Sequence, residues 1–470
     1  MRRCLIIAVL LLSISPAGAE QSVQEALLRS KPAVALVVSE VAAEVTFRCG
    51  AGGERRATPS PFRETGTGWF IDAGGWVVTN AHVVSPAKQP PAWLTAEQVE
   101  KAVRAECLPA LLAQRGLAPG NRPDVERDLT RQALAAAGPG ARVKLDPSIA
   151  VLLSNGVRFS ASVVKYSPPV AGEAMSGRDL ALLRIEAADM PSLALADSSA
   201  ARIGDPLHIL GFPGVVLTHE LLNASAKLEA SVTNGAISGF KQDVSGQPVI
   251  QTDASAAWGN SGGPAIDDRG RVVGVLTFVT LESSGGGIVQ GFNFVIPSAA
   301  IRDFLKGTEV PMNGTSAFNA AWHAGLADFF AGNHAKAARS LREANRLLPE
   351  LPDVRRITAE NDERIKHPPP RPFPWALVAI VVIVASGLGF GWLAFARWKR
   401  NQFRIRPVEV VRLLETSPEP PIILDVRGSE AYDKSPVRLP KAQHVAPEDL
   451  TTGATALPIE RDRMVIAYCT

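Results

Sequence analysis

The chain has 470 residues, of which 46% are hydrophobic and 20% charged, and its formal net charge is +3. This composition excludes a disordered chain, which would combine low hydrophobicity with high net charge. The 49 basic residues nearly balance the 46 acidic ones, so nucleic acid is not expected as a partner. Four cysteines are too few for a disulfide scaffold. The length predicts a globular protein of roughly two to four domains.

An apolar segment near the amino terminus has the features of a secretion signal. Arg2 and Arg3 precede an apolar run at residues 5–14, and small residues follow at 17–19. Such a run is too short to span a bilayer but is typical of the hydrophobic core of a signal peptide. We therefore predict a cleaved signal peptide at residues 1–19, with an uncleaved anchor as the alternative.

The region from about residue 33 to residue 297 reads as a series of short strands. β-Branched runs, such as residues 68–71, 76–79 and 272–279, alternate with Gly, Pro, Asn and Asp. Short strands at regular spacing with turn signals predict a mainly β domain, either a sandwich or a barrel. We place this domain at residues 20–310.

Three motifs in the β region carry the residue types of nucleophilic catalysis. They are TNAHVV at 79–84, GRDLALL at 177–183 and GNSGGP at 259–264. A serine hydroxyl needs an adjacent base, histidine can accept its proton, and a buried carboxylate can orient the histidine. We therefore assign Ser261 as the nucleophile, His82 as the general base and acid, and Asp179 as the orienting carboxylate.

The glycines around Ser261 allow a tight turn, so the amides of Gly259 and Ser261 are predicted to form an oxyanion hole. Each motif alone has a structural alternative: a histidine after a strand, an aspartate that caps, or a tight glycine loop. Of seven histidines, however, only His82 has such a context. The order His–Asp–Ser is also one of the known triad orders.

These motifs, with GFPG at 211–214, QTDA at 251–254 and GFNFVIP at 291–297, resemble the HtrA branch of trypsin-like serine proteases. The resemblance extends over roughly residues 22–305. It implies two packed six-stranded β-barrels with the active site between them, and an endopeptidase that acts on unfolded or exposed polypeptide. We expect no cofactor and no metal.

The resemblance also places the substrate pocket, because in trypsin-like folds the residues just before the nucleophile help to line it. The predicted lining residues are Ser255, Ala256, Ala257, Trp258, Phe292 and Asn293. No carboxylate stands in this stretch, so we expect a preference for small or medium apolar side chains over Arg and Lys. Asp253 lies nearby and is interpreted as structural.

Residues 86–148 appear as an insertion between His82 and Asp179. Thr95 and Gln98 form a capping-box pattern, and a second helix is predicted from Pro123 to Ala137. The insertion leaves the chain next to His82 and is therefore expected near the cleft. It is either a lid or docking surface, or a solvated elaboration without function.

Cys49 and Cys107 are the only cysteines in the mature exported part. An oxidising compartment permits a disulfide between them, but their spacing alone does not decide it. HtrA proteins usually continue into a PDZ domain, which we do not recognise in this sequence. Their peptide-triggered activation is therefore not carried over to this chain.

Residues 314–360 are predicted to form a helical hairpin that resembles one tetratricopeptide repeat. Small and aromatic positions, a central Gly332 and a closing Pro349 carry the resemblance, although any Ala-rich hairpin shares them. A single repeat cannot bury its own face, so we expect it to pack on the protease or on a partner. The proline-rich residues 361–374 are interpreted as an extended linker.

Residues 375–396 are uncharged and long enough for a transmembrane helix. Basic residues follow from Arg397 onward, which predicts a cytoplasmic carboxy-terminal side. With the signal peptide, this predicts a single-pass protein of the bacterial inner membrane whose protease domain is periplasmic. Gly387 and Gly391 form a small-xxx-small pair that is compatible with a homo-oligomer.

Residues 397–470 are predicted to be cytoplasmic and resemble the first part of a rhodanese-like α/β domain. The resemblance rests on IILDVR at 422–427, KAQHV at 441–445 and VIAYC at 465–469. In that family the cysteine after this strand carries a persulfide, and Cys469 holds the matching position. Only Thr470 follows, so the cradling loop is missing and we predict no sulfurtransferase activity. A truncated sequence, a degenerate half-domain and a buried strand with an inert thiol are the alternatives.

The whole pattern predicts a membrane-anchored serine endopeptidase that cleaves unfolded or regulatory envelope proteins through an acyl-enzyme. Its partners would be polypeptide substrates and the membrane. One alternative is a non-proteolytic membrane scaffold or sensor that binds polypeptides and is coupled to the rhodanese-like domain. Another alternative is that sulfur chemistry in the cytoplasmic part is the main function of the protein, and that the exported part is a sensor.

Overall fold

The structure is a computed structural model, and the chain divides into two compact units, residues 1–369 and 370–470. The described residues are 22–50, 52–168, 177–243, 245–281, 288–311, 316–368, 373–452, 459–460 and 462–469, of which 278–281 and 288–290 are described by their backbone. The predicted signal peptide lies outside the described residues.

Six strands of the first unit build a barrel, and a seventh strand pairs at its side. They are β1 Val34–Arg48, β2 Glu54–Ala57, β3 Phe62–Asp72, β4 Trp76–Thr79, β5 Arg142–Leu152, β6 Arg158–Ser167 and β7 Leu180–Ile185. Strand β1 pairs with both β3 and β5, so the order β1-β3-β4-β7-β6-β5 closes on itself. Strand β2 pairs with β1 outside this ring.

Five helices belong to this part of the chain. They are α1 Val23–Ser30, α2 Ala81–Lys88, α3 Ala92–Glu106, α4 Leu108–Gln114 and α5 Pro123–Ala137, with a short 3-10 turn at Lys31–Ala33 and another at Gly138–Gly140. Helix α5 has the predicted bounds. The predicted capping box at Thr95 and Gln98 is wrong, because α3 already begins at Ala92 and Gln98 is fully buried within it. Strand β5 begins at Arg142, inside the range assigned to the insertion.

The helices α3–α5 are tied to the barrel by a covalent bond. Cys49, at the end of β1, and Cys107, between α3 and α4, form a disulfide with a Cα–Cα distance of 5.6 Å. Cys107 is buried in a cluster with Phe47 of β1 and Val103 of α3. Packing and the disulfide therefore hold this helical segment against the first barrel.

Six further strands form the second barrel. They are β8 Pro206–Gly211, β9 Ser231–Gln242, β10 Pro248–Thr252, β11 Pro264–Ile266, β12 Val272–Leu281 and β13 Ile288–Pro297. They close in the order β10-β13-β12-β11-β8-β9. This part also contains α6 Gly214–Leu217, α7 Ala224–Lys227, α8 Ser298–Leu305 and the 3-10 turn Ser198–Ala200. The two closed six-stranded barrels confirm the expected trypsin-like architecture.

Three helices, where one hairpin was predicted, pack on the first barrel. They are α9 Ala317–Phe330, α10 His334–Leu347 and α11 Pro352–Lys366. Trp322 of α9 is fully buried, and its indole Nε1 donates to the carbonyl of Leu28 in α1 at 2.8 Å. Trp322 shares a core with Phe70 of β3, whereas the neighbouring Trp69 belongs to a core that includes Phe212 after β8. Successive side chains of β3 point to opposite faces of the sheet. One face of β3 therefore packs with the helices, and the other packs with the second barrel.

The second unit contains a long helix and a small parallel sheet. Its elements are α12 Trp375–Asn401, α13 Pro407–Thr416, β14 Ile422–Asp425, α14 Ser429–Lys434, β15 Gln443–His444, α15 Pro447–Thr452 and β16 Val465–Tyr468. The sheet order is β15-β14-β16, with parallel pairing. Within the described residues, α12 alone is long and apolar enough to cross a membrane. The rhodanese-like and tetratricopeptide resemblances stay predictions.

Candidate active site

His82 lies at the start of α2, directly after β4. Asn80 occupies the N-cap position of this helix, so His82 lies in its first turn. The ring Nδ1 of His82 is 2.8 Å from Oδ2 of Asp179, and its backbone amide donates to Oδ1 of the same carboxylate at 2.9 Å. Two contacts to one carboxylate hold the imidazole in position. They also leave Nε2 as the ring nitrogen that is available for proton exchange.

Asp179 stands just before β7, in a backbone conformation that is uncommon for a residue other than glycine. Its φ is +49°, and its side chain is 9% exposed. The carbonyl of Asp179 accepts a hydrogen bond from Nδ2 of Asn80 at 2.8 Å. Its carboxylate Oδ2 also accepts from the hydroxyl of Thr277 at 2.6 Å. The predicted orienting carboxylate is therefore brought to His82, and both its oxygens and the backbone carbonyl of Asp179 accept hydrogen bonds.

Thr277, in β12, is a site residue that the motifs do not predict. Besides its contact with Asp179, its backbone carbonyl is 3.4 Å from Oγ of Ser261, whose hydroxyl donates to it. Thr277 thus contacts both the carboxylate and the candidate nucleophile. Its sequence signal is weak: one of two threonines within the mostly apolar run VVGVLTFVTL.

The turn before Ser261 positions the two amides predicted to form the oxyanion hole. Gly259 has φ +96°, and a Cβ there would stand 2.3 Å from the carbonyl oxygen of Phe212. The carbonyl of Trp258 accepts from the amide of Gly214 at 2.6 Å. The Trp258 carbonyl and the Gly259 N–H belong to the same peptide group, in which N–H and C=O point in opposite directions. Since the carbonyl faces Gly214, the Gly259 N–H points away from Gly214.

The second amide is oriented in the same way. The carbonyl of Asn260 accepts from the amide of Gly263 at 2.9 Å, which directs the Ser261 N–H to the opposite side of that peptide. Neither the Gly259 nor the Ser261 amide donates to a protein acceptor in the described part of the chain. Thr67 secures the turn, since its hydroxyl donates to the carbonyl of Gly259 at 2.7 Å.

The electrostatic surroundings favour the protonated form of His82. Burial lowers the pKa of His82, but the hydrogen bond and charge of Asp179, together with the charge of Glu64, outweigh it and raise the pKa above its usual value. Glu64 lies on β3, and burial raises the pKa of its carboxyl group. Glu64 is a second residue that sequence patterns do not assign to the site.

The residues predicted to line the substrate pocket differ in their accessibility. Trp258 and Phe292 are exposed, whereas Ala256 is buried. Asn293 is fully buried, and its Nδ2 donates to the carbonyl of Ala254 at 2.7 Å, so its amide supports the wall from behind. Asp253 accepts from the amide of Ala236 at 2.6 Å, in agreement with its structural interpretation.

Ser255 and Ala257 are the remaining predicted pocket residues. Ser255 is exposed, and its carbonyl accepts from the hydroxyl of Thr233 at 2.6 Å. Ala257 is partly buried, and its carbonyl accepts from the amide of Asn260 at 3.0 Å. These backbone contacts hold the pocket stretch to β9 and to the turn of the nucleophile. Among the residues described, no group of three or more His, Cys, Asp or Glu side chains is arranged to hold a metal ion.

The comparisons with known proteins agree with this geometry. A family model described as a trypsin-like peptidase domain matches residues 66–275. A probable periplasmic serine endoprotease DegP-like of Chlamydia trachomatis is 34% identical over 154 residues, which cover 32% of this chain and 26% of that protein. The serine protease Do-like HtrA of Lactococcus lactis is 33% identical over 168 residues, with coverages of 34% and 38%.

The serine endoprotease DegS of Haemophilus influenzae is 32% identical over 163 residues, with coverages of 34% and 42%. The chain thus spans less than half the length of each of these relatives. The predicted resemblance to HtrA-type proteases is confirmed for the barrel region. Residues 66–275, which match the model of a trypsin-like peptidase domain, include all three residues of the predicted triad.

Proposed function

We propose that this chain hydrolyses peptide bonds within polypeptides through an acyl-enzyme formed on Ser261. The observation that carries the proposal is the network centred on Thr277. This residue donates to Asp179, which holds His82, and it accepts from the Ser261 hydroxyl. Three segments that are distant in sequence therefore meet around one cleft, with the chemistry of a nucleophile, a base and an orienting carboxylate.

In the acylation step, Ser261 Oγ attacks the carbonyl carbon of the scissile bond while Nε2 of His82 accepts the hydroxyl proton. The carboxylate of Asp179, already bonded to Nδ1, stabilises the imidazolium that forms. The negative charge that develops on the carbonyl oxygen is stabilised by the Gly259 and Ser261 amides. His82 then donates its proton to the departing amine, which leaves an ester on Ser261.

Deacylation follows the same path with water as the nucleophile. His82 accepts a proton from the water, which attacks the ester carbonyl. The oxyanion forms again at the two amides, and the proton passes to Ser261 Oγ as the acid product leaves. The side chain of His82 is 35% exposed, so the imidazole is accessible to water.

The pocket supports a preference for small or medium apolar side chains before the cleaved bond. Its predicted lining carries no carboxylate, and Ala256 and Ala257 leave room for short side chains. A peptide library dominated by cleavage after Arg or Lys would contradict this specificity. The same library with Trp258→Ala tests whether this exposed indole contributes to the preference.

We further propose that helix α12 anchors the protein in the bacterial inner membrane with the barrels on the periplasmic side. The helix has 27 residues and no acidic residue, and an 18-residue stretch of it has a mean hydropathy of 2.4. Basic residues stand in its last turns and after its end. Its substrates there would be unfolded or regulatory envelope proteins. Protease accessibility of the barrels in intact spheroplasts tests this orientation.

The decisive experiment compares the wild-type full chain with Ser261→Ala. We expect the wild type, in detergent micelles, to hydrolyse an unfolded protein such as casein and to react covalently with a fluorophosphonate. Ser261→Ala should do neither, whereas Ser160→Ala, a change at an exposed serine of β6, should retain both. A folded wild type that neither cleaves nor reacts would leave the polypeptide-binding scaffold as the better description.

A further inference from the structure

A cavity of about 420 Å³ lies where the two barrels meet the helices α1 and α9, outside the candidate active site. The linker between the barrels, residues 192–195, forms one wall. The turn between β11 and β12 and helix α8 form another. We infer that this cavity binds a small anion that carries two or more phosphate or carboxylate groups. The inference does not depend on the proposed hydrolysis.

The lining of the cavity is strongly basic. Four arginines from three segments of the chain line it: Arg29 at the end of α1, Arg269 and Arg271 in the β11–β12 turn, and Arg302 in α8. No carboxylate is among the described residues that line it. Arginine is the side chain best suited to oxyanions, because its planar fork donates two parallel hydrogen bonds to a carboxylate or phosphate.

Only part of this positive charge is compensated within the described residues. Arg29 pairs with Glu25, and Arg271 donates to the carboxylate of Asp267 at 2.7 and 2.9 Å. Arg302 donates instead to the backbone carbonyls of Leu195 and Ala196, at 3.0 and 3.2 Å.

The side chain of Arg269 has no bonded partner in the described part of the chain. The Nε of Arg29 is buried there without one. Asp197 interacts with Arg302 through its charge, without a hydrogen bond between the two side chains. The cavity thus concentrates like charges that a bound anion would neutralise.

A histidine stands beside these arginines. His323 of α9 lines the cavity, and burial together with the charge of Arg29 lowers its pKa to about 4. His323 is therefore neutral at physiological pH and can donate or accept one hydrogen bond toward a ligand. Asn319, one turn earlier, already contacts the linker through a hydrogen bond from its Nδ2 to the carbonyl of Ser192 at 2.8 Å.

The shape of the cavity depends on close packing at one glycine. Gly270 has φ +75°, and a Cβ at this position would stand 2.8 Å from Oγ of Ser30 at the end of α1. The turn therefore comes near enough to α1 for arginines from both to line the same cavity. At about 420 Å³, the cavity is in the size range of small-molecule sites and can hold several oxyanion groups.

Isothermal titration calorimetry tests the inference on the full-length Ser261→Ala protein in micelles, at constant ionic strength set with chloride. Pyrophosphate and citrate serve as separate probes, so that the two arms distinguish phosphate from carboxylate chemistry. We expect saturable binding of at least one probe, with a dissociation constant below about 1 mM. Failure of both probes to saturate would overturn the inference.

The variant Arg269→Glu provides the second requirement. Arg269 is exposed and without a bonded partner among the described residues, so the change should leave the fold intact. Loss of one charge-assisted contact and a new repulsion should weaken binding about tenfold or more. Arg158→Glu, an exposed arginine of β6 outside the cavity, is the matched control and should bind as the parent does. Equal binding by both variants would show adventitious association and refute the site.

Discussion

The substitution Thr277→Val removes one hydroxyl from the centre of the candidate active site and preserves the β-branched shape that suits strand β12. The lost group donates to Oδ2 of Asp179 at 2.6 Å, in a buried position. The contact of the Ser261 hydroxyl uses the backbone carbonyl of residue 277 and is therefore retained. The variant thus tests one hydrogen bond to the orienting carboxylate.

The expected magnitude follows from the charge of the acceptor. A hydrogen bond to a charged group contributes about 1.5–3 kcal/mol, and the Asp179 carboxylate matters most when His82 becomes an imidazolium. If this contribution is lost in the transition state, kcat falls about 10- to 150-fold. KM should change little, because Thr277 positions Asp179 through its side chain.

Two assays check this expectation. One is kcat and KM for hydrolysis of an unfolded protein, and the other is the rate constant for inactivation by a fluorophosphonate, which reports on the nucleophile without a peptide substrate. The matched control is Thr130→Val, which removes a similarly buried threonine hydroxyl from α5 that donates to the carbonyl of Glu126 and not to a residue of the candidate active site. If Thr277→Val matches Thr130→Val in both assays, the positioning role of Thr277 is refuted.

Three further changes test the electrostatics and the architecture. Glu64→Gln should move the acid limb of kcat/KM to lower pH, because the Glu64 charge raises the pKa of His82 and the base must be neutral to act; an unchanged limb contradicts this. Replacing Cys49 and Cys107 by serine opens a 58-residue loop and should lower the free energy of unfolding by about 2–4 kcal/mol in denaturant titrations. An unchanged midpoint would show that the helices need no covalent tie. Trp322→Ala should lower the free energy of unfolding by about 3–5 kcal/mol in the same titrations. Two separate unfolding transitions in the wild type would show that the helices are not integrated with the barrel.

Local sequence signals were sufficient where the deciding residues are neighbours in the chain. Helix α5 was predicted from Pro123 at its first position and Gly138 after its last, and both are effects of single residues on the backbone. The motif around Ser261 likewise combines the nucleophile with the glycines that its turn requires. Such patterns can be read because they do not depend on tertiary packing.

The features that the sequence did not reveal depend on contacts between distant segments. Thr277 and Asp179 are 98 positions apart, and no periodicity connects a threonine in one barrel to a carboxylate in the other. The capping-box prediction failed for a related reason, since Gln98 is buried by packing of α3. Helix α11 was hidden because Pro349 was interpreted as the end of a repeat, whereas Pro352 begins another helix.

The position of Asp179 links the fold of the first barrel to its chemistry. Asn80 occupies the N-cap position of α2, yet its side chain donates to the carbonyl of Asp179 and makes no capping bond. The carboxylate of Asp179 takes over that function, because it accepts from the amide of His82 in the first turn. The positive end of the helix then stabilises the carboxylate. The left-handed backbone of Asp179 costs roughly 1–2 kcal/mol, and these contacts offset it. The same bonds that start helix α2 therefore hold the imidazole in the orientation that its proposed role as general base requires.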